Sequence, residues 1–123
     1  MTKRKILIID DETSITKLLK LALERSERYL VQTENDGKNA MTAVRTFLPD
    51  IILLDVNMPE MSGGEISGAL QEDASFKRIP VIFLTGMVSQ EEAQSGLTIG
   101  GRPAFAKPID LEKLIECVEK NLT

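Results

Sequence analysis

Two short runs of branched aliphatic residues, each ending in acidic residues, constrain this fold more than any other feature. The run 51–54 is followed by Asp55, and the run 6–9 is followed by Asp10 and Asp11. Runs of this length, bounded by polar or Pro/Gly-rich residues, are typical of strands buried on both faces in a parallel sheet. Ligands of such open sheets bind at the carboxyl ends of the strands. We therefore expect three carboxylates to meet at one edge of a sheet.

The rest of the chain alternates between strand and helix patterns. Strands are predicted at 5–9, 29–33, 51–54, 80–84 and 104–106. Helices are predicted at about 13–26, after the turn 35–37, through 66–70, from a capping box at Ser89, and after Asp110 as N-cap. The helix from Ser89 contains poor helix formers, including Thr98 and the Gly100-Gly101 pair. This alternation predicts one α/β domain over residues 1–123, a parallel sheet with helices on both faces.

Composition excludes several classes of function. The chain has no histidine, so Ser-His and Cys-His catalysis and a phosphohistidine carrier role are excluded. A single cysteine, Cys117, cannot form a disulfide framework, and it has no CxxC or Cys/His partner for zinc. We expect its side chain to have a packing role. The net charge of -4 is dispersed and gives no nucleic-acid or membrane signature. No signal peptide or membrane-spanning segment is recognisable, so we expect a cytoplasmic protein.

Two further residues are expected at the same sheet edge. Thr85 ends the fourth predicted strand and Lys107 ends the fifth. Clustered carboxylates repel, and at least one retains its proton unless a cation is present. Mg²⁺ prefers oxygen ligands of this kind. A metal, an amine and a hydroxyl together suit a phosphoryl group placed on a carboxylate.

Each of these residues, taken alone, has a simpler interpretation. Asp10 and Asp11 can cap the first helix, and Asp55 can be an ordinary turn residue. Thr85 can merely end a strand, and Lys107 can be a solvated surface amine. The coincidence of all of them at one sheet edge favours a functional site.

The motifs resemble the receiver domain of two-component response regulators over essentially the whole chain. The matching elements are Asp10-Asp11, Asp55 within D-V-N-M-P-E-M-S-G, Thr85-Gly86 and Lys107-Pro108. Their spacing also matches, with 44 residues from Asp11 to Asp55, 30 from there to Thr85 and 22 from there to Lys107.

The resemblance implies a flavodoxin-like sheet in the order 2-1-3-4-5, with five helices, and a role for each site residue. Asp55 would be the phosphoacceptor. Mg²⁺ would be held by Asp55 and Asp11, by Asp10 through water, and by the backbone carbonyl of Asn57. Thr85 and Lys107 would contact the phosphoryl group, and the Lys107–Pro108 peptide would be cis.

The resemblance also implies partners and a mode of action. A histidine kinase or histidine phosphotransfer protein would donate the phosphoryl group. The output would be a downstream protein target or a fused effector domain, with no direct contact to nucleic acid or membrane. The chain would be a self-catalysing phosphoacceptor that is consumed in each cycle, rather than an enzyme.

One position departs from the family pattern. Receivers usually have Tyr or Phe three residues before the lysine, and this chain has Ala104 there, with Phe105 one residue later. A displacement of one residue along a strand places a side chain on the opposite face. We therefore expect Phe105 to pack in the core, and the signal to pass through Thr85 and residues 86–100.

Two other classes of function remain open. A Mg²⁺-dependent phosphohydrolase with an aspartate nucleophile would also need a lysine, but it normally has an acid two residues after the nucleophile, where this chain has Asn57. A receiver-like binding module that is never phosphorylated would be expected to lack an acid or the lysine, and both are present.

Overall fold

The computed structural model describes residues 2–59, 61–86 and 98–122. Within them the chain forms six strands, four α-helices and one short 3₁₀ helix at Gly37–Asn39. The strands are β1 Arg4–Ile9, β2 Tyr29–Glu34, β3 Ile51–Asp55, β4 Val81–Thr85, β5 Thr98–Ile99 and β6 Arg102–Ala106. The helices are α1 Thr13–Glu24, α2 Ala40–Phe47, α3 Gly63–Glu72 and α4 Leu111–Asn121.

The sheet has the order β2-β1-β3-β4-β6-β5. The first five of these strands pair in parallel and correspond to the five predicted strands, so the predicted order 2-1-3-4-5 is confirmed. The carboxyl ends of β1, β3, β4 and β6 therefore lie at one edge. At this edge Asp10 follows β1 and Lys107 follows β6. Asp55 and Thr85 are the last residues of β3 and β4.

The short strand β5 is an addition that the sequence did not predict. It pairs antiparallel with β6 through Thr98 and Ile99, although Thr98 was assigned to the helix from Ser89. The hairpin forms because Gly100 and Gly101 adopt φ angles of 57° and 78°, the left-handed conformation that a tight hairpin turn requires. The rest of that predicted helix, residues 89–97, lies outside the described residues.

The core has a separate apolar layer on each face of the sheet. Leu7 and Ile9 of β1 face α2 and α3, whereas Ile6 and Ile8 face α1 and α4. All five residues of β3 are buried. This two-sided burial confirms the interpretation of the aliphatic runs, and it holds the strand ends rigidly in place.

Helix α3 begins directly against the end of β3. Ser62 is its N-cap and accepts a hydrogen bond from the Glu65 N–H at 3.2 Å, while the Gly63 N–H donates to the Val56 carbonyl at 3.0 Å. A Cβ on Gly63 would lie 2.4 Å from the Asp55 carbonyl oxygen. Glycine is therefore required here by a close backbone approach.

We predict that Gly63→Ala destabilises the fold by about 1–3 kcal/mol, because the methyl group has to displace the backbone that carries Asp55. Gly68→Ala, in the same helix, is the matched control, since no atom lies within 4 Å of its added Cβ. It should stabilise the fold by about 0.5–1 kcal/mol through helix propensity. Urea unfolding of both variants measures this, and equal effects of the two substitutions would contradict it.

Candidate functional site

Three carboxylates meet at the carboxyl edge of the sheet, as the sequence predicted. Asp10 follows β1 and Asp55 ends β3, and the two neighbouring strands pair Ile9 with Leu54. Asp10 and Asp55 are 0% and 2% exposed, whereas Asp11 is exposed. One oxygen from each of the three side chains lies within 4.8 Å of the others.

Local turns fix the two buried carboxylates. Asp10 Oδ1 accepts a hydrogen bond from the Glu12 N–H at 2.9 Å, and Asp55 Oδ1 accepts one from the Asn57 N–H at 3.2 Å. The Asp10 backbone is held as well, because Asn35 Nδ2 donates to its carbonyl at 2.8 Å. Both carboxylates are thus oriented by the backbone that follows their own strand.

The Lys107 ammonium lies among these acids. Its Nζ is 2.8 Å from Glu12 Oε1, 2.9 Å from Asp10 Oδ2 and 3.7 Å from Asp55 Oδ1. The side chain is only 13% exposed, so this lysine is not the solvated surface amine of the simpler interpretation. Its backbone N–H donates to the Thr85 carbonyl at 2.8 Å, and its peptide bond to Pro108 is cis.

Thr85 and Asn57 complete the set of predicted residues. Thr85 is the last residue of β4 and is buried, and the preceding Leu84 pairs with Asp55. Asn57 is exposed in the loop after β3. The structure therefore brings all of the predicted residues to one edge. It does not support the capping interpretation of Asp10 and Asp11, because Glu12 is the N-cap residue of α1.

Burial and the close packing of several acids around one lysine set the electrostatics of the site. Burial raises the pKa of Asp55 to about 7, and the charge of Asp10 adds to this effect. The hydrogen bond from Asn57 and the charge of Lys107 act in the opposite direction. Burial lowers the pKa of Lys107, but its close contacts with the carboxylates of Glu12 and Asp10 outweigh this and raise it to about 12. The ammonium is thus firmly charged, whereas Asp55 is only partly ionised at neutral pH.

The donor set fits a hard divalent cation. Asp10 Oδ2 is buried and, within the described residues, accepts no hydrogen bond, although Lys107 lies 2.9 Å away. Lys107 is the cation beside this oxygen, but it is shared with Glu12 and Asp55, so the buried acids still have room for a further positive charge. Three carboxylate oxygens within reach of one ion are ligands that Mg²⁺ accepts.

Glu12 is a member of the site that the sequence analysis missed. Its side chain contacts Lys107 directly, even though it lies 95 residues away in the chain. The available signal was its position immediately after Asp10 and Asp11, at the start of a helix and at the same sheet edge.

The departure at Ala104 and Phe105 has the predicted geometry. Ala104 packs in the layer with α2 and α3, whereas Phe105 packs on the opposite face, in the layer with α1 and α4. The face on which the family usually places an aromatic ring therefore has a methyl group in this chain. Residues 87–97, through which the signal was expected to pass, lie outside the described residues.

The comparisons with known proteins agree with this geometry. The family model for the response regulator receiver domain matches residues 6–119. The chain belongs to this family. It is a receiver domain of the two-component response regulators, in which phosphorylation of the receiver controls signalling. Receiver domains of this family bind Mg²⁺ at an acidic pocket.

Individual relatives extend this result. The chain is 34% identical over 110 residues to the probable transcriptional regulatory protein TcrX of Mycobacterium tuberculosis, covering 89% of this chain and 46% of that protein. It is 38% identical over 106 residues to the response regulator PleD of Caulobacter vibrioides, covering 86% and 23%. The chain thus spans less than half the length of these two curated relatives.

The solved structures that match include a chain of about the same length as this one. The chemotaxis protein CheY4 of Vibrio cholerae superposes with a TM-score of 0.81 at 31% identity, covering 98% of this chain and 100% of that one. Among the described residues, no helix of this receiver is both long and apolar enough to span a bilayer.

Proposed function

We propose that Asp55 accepts a phosphoryl group from a phosphohistidine of a histidine kinase or histidine phosphotransfer protein, and that this changes the protein-binding surface of the receiver. The observation that carries the proposal is the buried Asp55 carboxylate, with the Lys107 ammonium 3.7 Å away and two further carboxylates alongside. Phosphoryl transfer to a carboxylate requires an acceptor acid, an amine and a site for a cation close together.

In the proposed reaction an oxygen of Asp55 attacks the phosphorus atom of the donor. A new O–P bond forms, the bond from phosphorus to the donor nitrogen breaks, and its electron pair leaves with the imidazole. Lys107 stabilises charge on the phosphoryl oxygens. The hydroxyl of Thr85, a buried residue at the end of the neighbouring strand, donates a hydrogen bond to one of these oxygens. Water later cleaves the acyl phosphate, so the chain acts stoichiometrically as a switch.

Mg²⁺ would be held by Asp11 and Asp55 directly, by Asp10 through water and by the Asn57 carbonyl, and it would neutralise charge on the transferred group. This assignment explains how Asp55 becomes reactive. A carboxylate must be ionised to attack phosphorus, yet burial holds the pKa of Asp55 at about 7. A cation beside it favours the ionised form.

The structure favours this function over a phosphohydrolase. The residue two positions after Asp55 is Asn57, whose backbone N–H donates to Asp55 Oδ1 and whose side chain cannot transfer a proton. A receiver-like module that is never phosphorylated would not need the Lys107 ammonium among three carboxylates.

The biological setting is proposed from the relatives. Residues 1–123 would form one receiver domain, acting alone as a CheY-like protein or joined to an effector domain as in the longer regulators. We place it in the cytoplasm, where kinases that use ATP generate phosphohistidine.

We predict that Asp55→Asn abolishes incorporation of acid-labile phosphate, because the amide cannot form an acyl phosphate. The measurement is labelling with acetyl phosphate or a phosphorylated kinase in Mg²⁺, followed by hydroxylamine treatment. Asp50→Asn is the control, since Asp50 precedes β3 at the opposite end of that strand and should leave labelling unchanged. Wild-type labelling of the Asp55→Asn protein would refute the assignment.

We predict that Asp11→Ala weakens Mg²⁺ binding by at least about tenfold, because it removes a direct ligand and its charge. Asp10→Ala should have the smaller effect on affinity if its contact runs through water. Calorimetric titration with Mg²⁺ compares the two variants directly. Wild-type affinity in Asp11→Ala, or a larger loss in Asp10→Ala, would contradict the assigned ligands.

A further inference from the structure

The carboxylate of Glu12 is an unexpected component of the site. Glu12 is the N-cap residue of α1, with an extended backbone, but its side chain makes no capping hydrogen bond to the helix. Its Oε1 instead accepts a hydrogen bond from Lys107 Nζ at 2.8 Å. The side chain is therefore directed at the site and does not stabilise the start of its own helix.

The distances from Lys107 Nζ to the three nearest carboxylates show how the ammonium is shared when Asp55 is not phosphorylated. The ammonium is within hydrogen-bonding distance of Glu12 and Asp10, at 2.8 and 2.9 Å, but it is 3.7 Å from Asp55. Its closest partners are thus two acids that do not accept the phosphoryl group. Glu12 is also the most exposed of the three, with 53% of its side chain accessible, so it can release the lysine without leaving a buried charge unpaired.

We propose that Glu12 is a positioning residue that holds Lys107 in the resting state and competes for it with the phosphoryl group on Asp55. The inference rests on the proposed function, since it requires that Asp55 is the acceptor. It assigns to Glu12 a restraining effect: its contact with Lys107 disfavours the phosphorylated state and slows the formation of that state.

The charge balance of the reaction explains the direction of this effect. With acetyl phosphate as donor, an oxygen of Asp55 bonds to phosphorus, the bond from phosphorus to the acetyl oxygen breaks, and acetate leaves with the electron pair. A carboxylate with a single charge is replaced by a dianionic acyl phosphate. The acyl phosphate attracts Lys107 more strongly, so the ammonium has to move from Glu12 toward Asp55.

Replacing Glu12 by Gln removes the competing charge. We expect phosphorylation by acetyl phosphate to become about two- to fivefold faster, the range for an ion pair with one exposed partner. We also expect the affinity for beryllium fluoride, a non-covalent mimic of the phosphoryl group, to rise by a similar factor at saturating Mg²⁺. Asp55→Asn, measured in parallel, tests the proposed function independently of Glu12.

Two further variants separate the contact of Glu12 with Lys107 from simple repulsion between the Glu12 charge and the phosphoryl group. Glu12→Asp keeps the charge but shortens the side chain, so it should lose the contact with Lys107 and behave like Glu12→Gln. Aspartate is also a good N-cap, so the thermal midpoint should not fall. Glu112→Gln, an exposed glutamate in the first turn of α4, removes the same charge without this contact and should behave like the wild type.

The outcomes are distinct. Faster labelling and tighter beryllium fluoride binding in both Glu12 variants, with no change in Glu112→Gln, would support the proposal. Unchanged or slower labelling in Glu12→Gln would overturn it. Wild-type behaviour of Glu12→Asp would also overturn it, because the faster labelling of Glu12→Gln would then be due to charge repulsion alone. Labelling of wild type but not Asp55→Asn would leave the proposed function standing in either case.

Discussion

The ion pairs of one lysine with the acids at the sheet edge are the interaction on which the rest of the site depends. Lys107 lies within 4 Å of carboxylate oxygens of Asp10, Glu12 and Asp55. A single ammonium cannot balance these acids together with the nearby Asp11. Burial raises the pKa of Asp55 and the charge of Asp10 adds to this effect, while the excess of acids creates a place for a divalent cation. The excess of acids therefore accounts for the metal preference of the site, and burial is the main cause of the raised pKa of its acceptor.

The sheet makes this arrangement stable. Carboxylates that repel one another stay together because the strands carrying them are buried on both faces and cannot separate without exposing the core. The close approach of Gly63 to the Asp55 carbonyl shows how tightly the surroundings constrain the acceptor. Aliphatic packing thus acts together with the ion pairs of Lys107 in holding the carboxylates close to one another.

Sequence patterns predicted most of this structure because the relevant signals are local or are fixed by topology. Aliphatic runs specify buried strands, and parallel strands bring residues that follow them to one edge, so Asp10, Asp55, Thr85 and Lys107 could be placed together. Glu12 could not be placed, because whether a flexible side chain at a helix start turns toward its helix or toward a lysine depends on tertiary contacts. Strand β5 was missed for a similar reason: its two residues are too few for a periodic pattern, and its glycine turn resembles a poor helix.

The most direct test of this account is the titration of the Asp55 carboxyl by NMR, with and without Mg²⁺. Without metal, the account predicts that Asp55 titrates with a pKa of about 7, well above the ordinary value of 3.8. The folded protein then binds a proton that the unfolded chain has lost, so this group contributes less stability as pH rises from about 4 to about 7. Adding Mg²⁺ should shift the titration to clearly lower pH. Titration near pH 4 in both conditions, or a midpoint that Mg²⁺ does not change, would contradict the central claim.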